Sequence, residues 1–357
     1  MKTILATAYD VNPYKGSESG TGWNFIVQIA RFNKVVAITR VNNKKNIEKY
    51  IEEFNIDITN IKFHYYDLPY YLRFWKKGAR GSSLYFYLWQ MFMPIFIKKN
   101  KIKFNIAHNL NFHTDSFPTF LWFCKHPLVW GPINHHEKIP YEYIHNIYSS
   151  KEYIKDRVKW VVKVILWTAD PFLRISKSKS KFVLCGNSSV QKRLSIKSEK
   201  FISFSQIASD EIKDITKKET SDFNILFVGR LVPLKATDIA IKAFAKFYSM
   251  HAEENISMTI IGKGPELEKL VELVDDLNII DSVKFINWID KGLLSNYYKQ
   301  ANIFFFPSHE GAGMVIPEAL SYAIPALCFD NFGPGELTDD SCATRIKYSN
   351  YNQSVLD

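Results

Sequence analysis

Short runs of β-branched and aromatic residues alternate with helical patterns along the first half of the chain. TILATAY, KVVAITR and IKFHYYD are typical of strands, whereas GWNFIVQIARF and KKNIEKYIEEF between them repeat apolar residues at helical spacing. Strands separated by helices predict βαβ units and a parallel sheet. FNIAHNL and PLVWGPI continue the series and end in polar or glycine turns, where ligands of such sheets bind.

A second series of the same kind follows SKFVLCGNSSVQKRL, with strand-like runs at FNILFVGRL, SMTIIGKGP, SVKFINWI, NIFFFPS and PALCFD. A chain of 357 residues suits two domains. We therefore predict an α/β protein with two Rossmann-like parallel-sheet domains, residues 1–180 and 181–357, facing each other across a cleft. The boundary is predicted between about Lys177 and Thr220, where the polar stretch DEIKDITKKETSD is the predicted connector.

Charge is unevenly distributed between these halves. Residues 1–180 hold 27 Lys and Arg against 13 Asp and Glu, a net charge of +14, whereas residues 181–357 hold 19 against 23, a net charge of −4. An anionic partner would therefore meet the first half. An anionic membrane surface or a phosphorylated lipid fits the accompanying aromatic residues better than nucleic acid, because Arg is sparse and no nucleic-acid motif occurs.

The longest hydrophobic segment is SSLYFYLWQMFMPIFI, residues 82–97, with basic residues on both sides. Crossing a bilayer takes about 20 apolar residues, so a core helix or an interfacial helix is favoured over a membrane span. The first residues, MKTILATAYD, lack the features of a signal peptide, and the four scattered cysteines are typical of buried thiols in a reducing cytoplasm.

Two cations follow the strand-like run FNILFV. Arg230 and Lys235 come after Gly229, just before a predicted helix that begins near Ala236. Side-chain cations beside a helix N-terminus form a site for a diphosphate, because their charges and the unpaired backbone N–H groups point the same way.

Two glutamates flank a glycine turn in PSHEGAGMVIPEAL. Glu310 follows a buried strand, and Glu318 lies within the helix that comes next. Carboxylates in these places can hold sugar hydroxyls, and Gly311 and Gly313 allow the backbone to approach an anionic ligand closely.

A third glycine-rich stretch, NPYKGSESGTGWNF, places Gly16, Gly20 and Gly22 between the first strand and the first helix. It is similar to a phosphate-cradling loop but has neither the lysine of a P-loop nor a GxGxxG pattern, and a plain strand-to-helix turn remains an alternative.

Together these motifs resemble a known family. KGSESGTGW, WGPINHHEKIP, VGRLVPLK, IGKGPELEKL and PSHEGAGMVIPEALSYAIPALCFDNFGPGELT occur in the order seen in the retaining glycosyltransferases of family 4, which have the GT-B fold. The resemblance implies a hexosyltransferase-type enzyme that transfers a sugar from a UDP- or GDP-linked donor, without a cofactor or a metal, to a lipid-linked glycan of capsule, exopolysaccharide or O-antigen. It also implies a cytoplasmic protein, peripheral on the inner face of the plasma membrane.

Residue roles follow from the same resemblance. It implies that Arg230 and Lys235 bind the donor diphosphate, that Glu310 supports the donor sugar at the reacting centre, and that Glu318 binds the ribose hydroxyls. The remaining expected donor contacts are the histidine after FNIA, which is His108 or alternatively His113, and backbone amides at Gly20, Gly22, Gly311, Gly313 and Met314. Retention in this family is attributed to front-side attack, so Glu310 is not expected to act as a nucleophile.

The chain departs from the family pattern at three places. Asn134, His135 and His136 stand where relatives usually have glycines, and we expect these side chains to face the cleft and influence acceptor choice, or else to lie on the outer face of the loop. Ala236 replaces the usual glycine after Lys235. A final helix that crosses back to the first domain is expected in the family and is not found before residue 357.

Two alternatives remain open at this point. One is a shortened, inactive relative that binds sugar nucleotide as a partner protein. The other keeps the fold but epimerises or phosphorolyses a nucleotide sugar.

Overall fold

The computed structural model describes residues 1–15, 17–78, 80–110, 114–147, 149–204, 212, 222–251, 255–287 and 289–356. His113, Gly16 and most of the predicted connector lie outside these residues. The contacts divide the chain into two compact units. Unit 1 consists of Met1–His135 and Trp160–Gln206, and unit 2 consists of His136–Lys159 and Ile207–Asp357.

Unit 1 is built on a parallel sheet. Its strands are β1 (Thr3–Thr7), β2 (Lys34–Thr39), β3 (Ile61–Tyr65), β4 (Ile106–Asn109), β5 (Leu128–Ile133), β6 (Phe182–Cys185) and β7 (Phe201–Ser203). Over the described residues these seven strands are ordered β3-β2-β1-β4-β5-β6-β7. The helices of unit 1 are α1 (Ser17–Ala30), α2 (Lys44–Glu53), α3 (Ser82–Lys99), α6 (Pro171–Lys179) and α7 (Ser188–Leu194). Helix α4 (Tyr141–Ile147) belongs to unit 2. Helix α5 (Ser150–Ala169) contributes residues to both units.

Helix α3 contains the long hydrophobic segment. Tyr85, Trp89, Met93 and Ile97 recur every four residues and are buried. They pack with Leu5 of β1, so α3 is a core helix of unit 1. Within the described residues, no helix has the length and apolarity needed to cross a membrane.

Unit 2 has a second parallel sheet. Its strands are β8 (Phe223–Val228), β9 (Ile256–Ile261), β10 (Val283–Ile286), β11 (Ile303–Phe306), β12 (Ala326–Phe329) and β13 (Ala343–Ile346). In the described part of the chain these six strands are ordered β10-β9-β8-β11-β12-β13. The helices are α8 (Thr237–Met250), α9 (Leu267–Asp276), α10 (Lys291–Gln300), α11 (Val315–Ser321) and α12 (Tyr351–Leu356). The prediction of two Rossmann-like parallel-sheet domains is confirmed.

The division between the units falls after residue 206, later than residue 180 but within the predicted boundary region from Lys177 to Thr220. Strands β6 and β7 pair in the sheet of unit 1, with Val129 of β5 next to Phe182 of β6. Residues 136–159 join unit 2 instead, where the Tyr143 hydroxyl lies 2.6 Å from the Ser354 hydroxyl of α12. A strand pattern does not reveal which sheet a strand joins, so the boundary could not be read from hydrophobicity alone.

The start of α1 also differs from expectation. Gly20 and Gly22 lie inside the helix rather than in a loop before it. A side chain at Gly20 would come within 2.3 Å of the Lys15 carbonyl oxygen, so this glycine allows the preceding turn to fold onto the helix.

A buried acidic cluster joins the starts of α8 and α9. The Tyr351 hydroxyl donates a hydrogen bond to Asp238, and burial raises the pKa of this carboxyl. Burial, reinforced by the Asp238 charge, raises the pKa of Glu266 from 4.5 to about 7. Both carboxyls are therefore protonated more readily than exposed carboxyls.

This cluster predicts a pH dependence of stability. Because the pKa of Glu266 is raised on folding, its protonated form adds stability that is fully present below 4.5 and is lost as the pH rises through about 7. We expect the melting temperature of Glu266→Gln to fall less than that of the wild type across this window. Glu268→Gln, at an exposed position of the same helix, is the control and should keep the wild-type slope. An unchanged slope in Glu266→Gln would contradict the assignment.

Candidate active site

The turns after β8 and β11 meet at one edge of the second sheet. These strands are neighbours, with Ile225 paired to Ile303, so their carboxyl ends lie side by side. The His309 amide donates to the Leu234 carbonyl at 2.9 Å, and the Ser308 hydroxyl donates to the same oxygen at 3.2 Å. These bonds hold the two turns together.

A buried ion pair crosses between the same turns. Lys235 Nζ lies 2.5 Å from Glu310 Oε1, and the two side chains are only 10% and 12% exposed. Lys235 Nζ also lies 4.6 Å from the centre of the Phe306 ring. The structure thus brings together two predicted site residues that are 75 positions apart in the sequence.

The electrostatics of Lys235 reflect its burial. Loss of hydration lowers the pKa of Lys235, the Glu310 carboxylate raises it, and the Arg230 charge lowers it further. Arg230 itself is exposed. The site therefore combines an exposed guanidinium with a buried ammonium whose charge is already balanced by a carboxylate.

Ala236 marks the start of α8 directly after Lys235. Its φ of 49° lies in the left-handed region, where a residue with a Cβ is strained and glycine is favoured. This geometry explains physically why a glycine is usual at this position in the sequence pattern.

A second loop supports the backbone around Glu310. The Asn331 side chain donates to the Ser308 carbonyl at 2.8 Å and accepts from the Gly333 amide at 3.0 Å. A side chain at Gly333 would lie 1.9 Å from the Glu310 carbonyl oxygen. Gly313 has a φ of 73° and approaches Pro334. The Asn331–Gly335 loop thus sets the position of the glycine turn.

An aromatic cluster lies behind this turn. His309 stacks on Phe329 and Tyr348, with ring centres 5.3 and 5.6 Å apart, and Tyr143 meets it edge-on at 5.2 Å. His309 Nδ1 lies 2.9 Å from the Tyr348 hydroxyl, and burial lowers the pKa of this imidazole to about 3. His309 is therefore neutral and structural. A cavity of about 80 Å³ between this cluster and Glu310 is also lined by Glu137.

The segment 136–159 also holds the glycine turn, residues 311–313, in place. The Gly311 amide donates a hydrogen bond to His136 Nδ1 at 2.9 Å. We expected the Gly311 amide to contact the donor substrate. For that contact to form, the donor must replace His136 as the acceptor of this hydrogen bond. The ring nitrogen accepts only when it carries no proton.

Asn134 and His135 were expected either to face the cleft or to lie on the outer face of the loop. Both are buried in unit 1. The Asn187 side chain donates to Asn134 Oδ1 at 2.5 Å, and His135 Nδ1 lies 2.9 Å from Asp115 Oδ2. Burial is the main reason that the pKa of His135 is lowered. Asn134 Oδ1 and His135 Nδ1 thus have partners inside the unit, which explains the inward orientation of both side chains.

Glu318 lies in the first turn of α11, after Met314 at its N-cap. The Tyr298 hydroxyl donates to Glu318 Oε2 at 3.4 Å, a long hydrogen bond. The Glu318 side chain is half-buried.

His108 is the penultimate residue of β4 in unit 1. Its Nε2 lies 2.8 Å from the Gly131 carbonyl oxygen, and burial lowers the pKa of the imidazole to about 4. The ring is neutral at physiological pH and donates from Nε2 to that carbonyl. Over the described residues, no group of three or more His, Cys, Asp or Glu side chains is arranged to hold a metal ion.

Comparison with known proteins bears on unit 2 in particular. Residues 208–353 match the family described as "Glycosyl transferases group 1". Unit 2 carries a glycosyl transferases group 1 domain. A D-inositol 3-phosphate glycosyltransferase from Acidothermus cellulolyticus is 35% identical over 111 residues, which are 29% of this chain and 25% of that protein. The match therefore spans about a quarter of the length of this curated relative.

Solved glycosyltransferase structures resemble the whole chain. A lipopolysaccharide outer core galactosyltransferase, WaaB, has a TM-score of 0.63 at 14% identity and aligns over 99% of this chain and 88% of its own. Anabaena HepE in complex with UDP and glucose has a TM-score of 0.58 at 14% identity, over 100% of this chain and 88% of its own. At this identity the likeness shows the fold, and it confirms the predicted GT-B class.

Because Gly333 packs closely against the turn that carries Glu310, we predict that this position is sensitive to substitution. Gly333→Ala places a methyl group against the Glu310 carbonyl and forces the turn to move, so we expect a loss of about 1–3 kcal/mol in the free energy of unfolding. Gly292→Ala in the group 1 domain is the matched control, because its new methyl group meets nothing within 4 Å. Thermal melting of both variants checks the prediction, which fails if Gly333→Ala melts like the control.

Proposed function

We propose that the chain is a retaining, metal-independent glycosyltransferase of family 4. It transfers a hexose from a UDP- or GDP-linked donor to a lipid-linked glycan in the synthesis of a bacterial capsule, exopolysaccharide or O-antigen. The observation that carries this proposal is the Lys235–Glu310 ion pair at the carboxyl edge of a group 1 domain.

The cations act on the leaving group. As the bond between the sugar and the diphosphate breaks, negative charge grows on the phosphate oxygens. Arg230 and Lys235 stabilise that charge from fixed positions, and more strongly in the transition state than in the bound donor. The low exposure of Lys235 strengthens this effect, because water screens its charge poorly.

Glu310 has two functions in this proposal. Without a ligand its carboxylate balances the buried charge of Lys235. When the diphosphate forms an ion pair with Lys235, Glu310 is released from that pair. Its carboxylate is then available to bind hydroxyls of the donor sugar and to stabilise positive charge that develops at the reacting carbon. Glu318 binds the ribose hydroxyls, and the amides from Gly311 to Met314 meet the sugar or the phosphate.

Unit 1 supplies the remaining groups. His108 helps to orient the donor sugar as a neutral imidazole, and the N-terminal end of α1, near Gly20, contributes phosphate contacts. His136 remains a proposed determinant of acceptor choice, because it is bonded to the turn that carries Glu310. For Asn134 and His135 an indirect effect through the shape of this loop is better supported than direct contact.

The class of acceptor is inferred from the net charge of the first half of the chain and from the similarity of the fold to solved glycosyltransferases. The first half of the chain carries a net charge of +14, which favours an anionic or membrane-bound acceptor. A fold neighbour is a lipopolysaccharide outer core galactosyltransferase, and another was solved with UDP and glucose. These likenesses support a nucleotide-sugar donor and a surface glycan as acceptor.

Transfer of labelled sugar tests the proposal. The wild type is incubated with a panel of UDP- and GDP-sugars and lipid-linked acceptors, and the product is analysed for anomeric configuration. We expect Lys235→Ala and Glu310→Gln each to lower transfer by about 100-fold or more, since each removes a charge at the reacting centre. Glu336→Gln, a change outside the proposed site, serves as the control. Wild-type rates in either site variant, or conversion of the donor without any acceptor, would refute the proposal.

A further inference from the structure

A cationic cluster lies at the carboxyl edge of the sheet in unit 1. Arg40 directly follows β2, and Asp67 comes two positions after β3. These strands are neighbours, with Thr39 paired to Tyr65, so the two residues lie at one edge of the sheet. Parallel α/β sheets bind their ligands at this edge. The candidate active site of unit 2 does not use this cluster.

Arg40 is held in a fixed orientation. Its Nε donates a hydrogen bond to Asp67 Oδ1 at 2.9 Å, and the Tyr85 hydroxyl donates to the same oxygen at 2.7 Å. The guanidinium carbon lies 4.8 Å from the centre of the Tyr9 ring and 5.1 Å from that of Tyr85, and the Arg40 side chain is only 15% exposed. Over the described residues, the Arg40 side chain donates a hydrogen bond only from Nε. Its two Nη groups can therefore bind a carboxylate or a phosphate by parallel hydrogen bonds.

Two further cations lie close to Arg40. Lys76 Nζ is 5.5 Å from the centre of the Tyr85 ring. Burial and the Arg40 charge lower the pKa of Lys76, and Asp67 raises it. The charge of Arg73 lowers it further. Three positive charges thus face the single negative charge of Asp67, a net charge of +2, and an anion at this place would relieve their repulsion.

The segment that carries Arg73 and Lys76 also exposes aromatic rings. The exposed aromatic side chains are Tyr70, Tyr71 and Phe74, at 75%, 70% and 61%. Between them, Leu72 and Trp75 pack against the core around α3, and Trp75 Nε1 donates to the Leu72 carbonyl at 3.1 Å. The segment is therefore anchored from within, and the exposed rings are not needed for its own packing. Aromatic faces offer a flat apolar surface for the C–H face of a pyranose ring.

We propose that this cluster binds an anionic sugar of the acceptor glycan. The carboxylate or phosphate on the sugar pairs with the Nη groups of Arg40 and with Lys76, and the sugar ring packs on the exposed aromatic side chains. The inference rests on the proposed function and deepens it by naming the acceptor class, a glycan that carries uronic acid or phosphorylated sugar residues.

The recessed position of Arg40 decides for a sugar. A bilayer or a nucleic acid meets exposed side chains with a broad surface, and at 15% exposure Arg40 would be left without a phosphate. A substituent on a sugar ring projects from the ring and can enter the space beside Arg40, while the ring itself remains at the surface.

Ligand-observed NMR titration of the full chain, without a donor, tests the inference. The probes are glucuronic acid and glucose 6-phosphate, with glucose as the matched neutral sugar. We expect at least one anionic sugar to bind about tenfold more tightly than glucose, and the tighter one identifies the anion. Arg40→Lys keeps a charge beside Asp67 but loses the Nη pair, so it should weaken this binding about tenfold, and so should Lys76→Gln.

Matched controls come from the other end of β2. Arg31 and Lys34 are exposed there, and Arg31→Gln and Lys34→Gln should bind the anionic sugars like the wild type. Tyr70→Ala combined with Tyr71→Ala should weaken the binding of the sugars but not that of acetate. Circular dichroism reports whether each variant is folded.

Four results would overturn the inference. They are equal affinity for glucose and the anionic sugars, wild-type affinity in both Arg40→Lys and Lys76→Gln, loss of sugar binding in Lys235→Met instead, and displacement of glucuronic acid by phosphatidylglycerol vesicles, which would assign the cluster to a lipid surface. Because binding is measured without a donor, sugar binding at this cluster together with no glycosyl transfer would count against the proposed function alone.

Discussion

The buried ion pair between Lys235 and Glu310 is the interaction on which the candidate site depends. Removing an ammonium group from water is costly, and the low exposure of Lys235 is tolerated because a carboxylate lies 2.5 Å away. The pair also links the turns after two neighbouring strands. A ligand that carries a diphosphate would offer Lys235 the same compensation, so we expect ligand binding and rearrangement of this pair to be coupled.

The pair is held in place by residues that are not among the predicted donor contacts. Asn331 and Gly333 set the backbone of the turn from one side, and the cluster around His309 supports it from behind. His136 holds the Gly311 amide. A rigid setting of this kind keeps charges at fixed positions, which is the condition for electrostatic stabilisation of a transition state.

Much of this arrangement was predictable, and the remainder depends on contacts between distant parts of the chain. Alternating hydrophobic runs predict both sheets, and parallel strands predict that Lys235 and Glu310 meet at one edge. The roles of Asn331, Gly333 and Tyr143 were missed because only tertiary packing brings them to the turn. The exposure of Ile154, Val158, Val161 and Ile165 on α5 was missed as well, since an apolar row has the same sequence pattern whether it faces a core or solvent.

The central claim is that Glu310 neutralises Lys235 until a diphosphate replaces it. Calorimetric titration of UDP and of GDP into the wild type, Glu310→Gln and Lys235→Met tests this claim most directly. The account predicts that Glu310→Gln binds the preferred nucleotide more tightly than the wild type, because Lys235 then has no competing carboxylate, whereas Lys235→Met binds it more weakly. Weaker binding by Glu310→Gln, or unchanged binding by Lys235→Met, would contradict it.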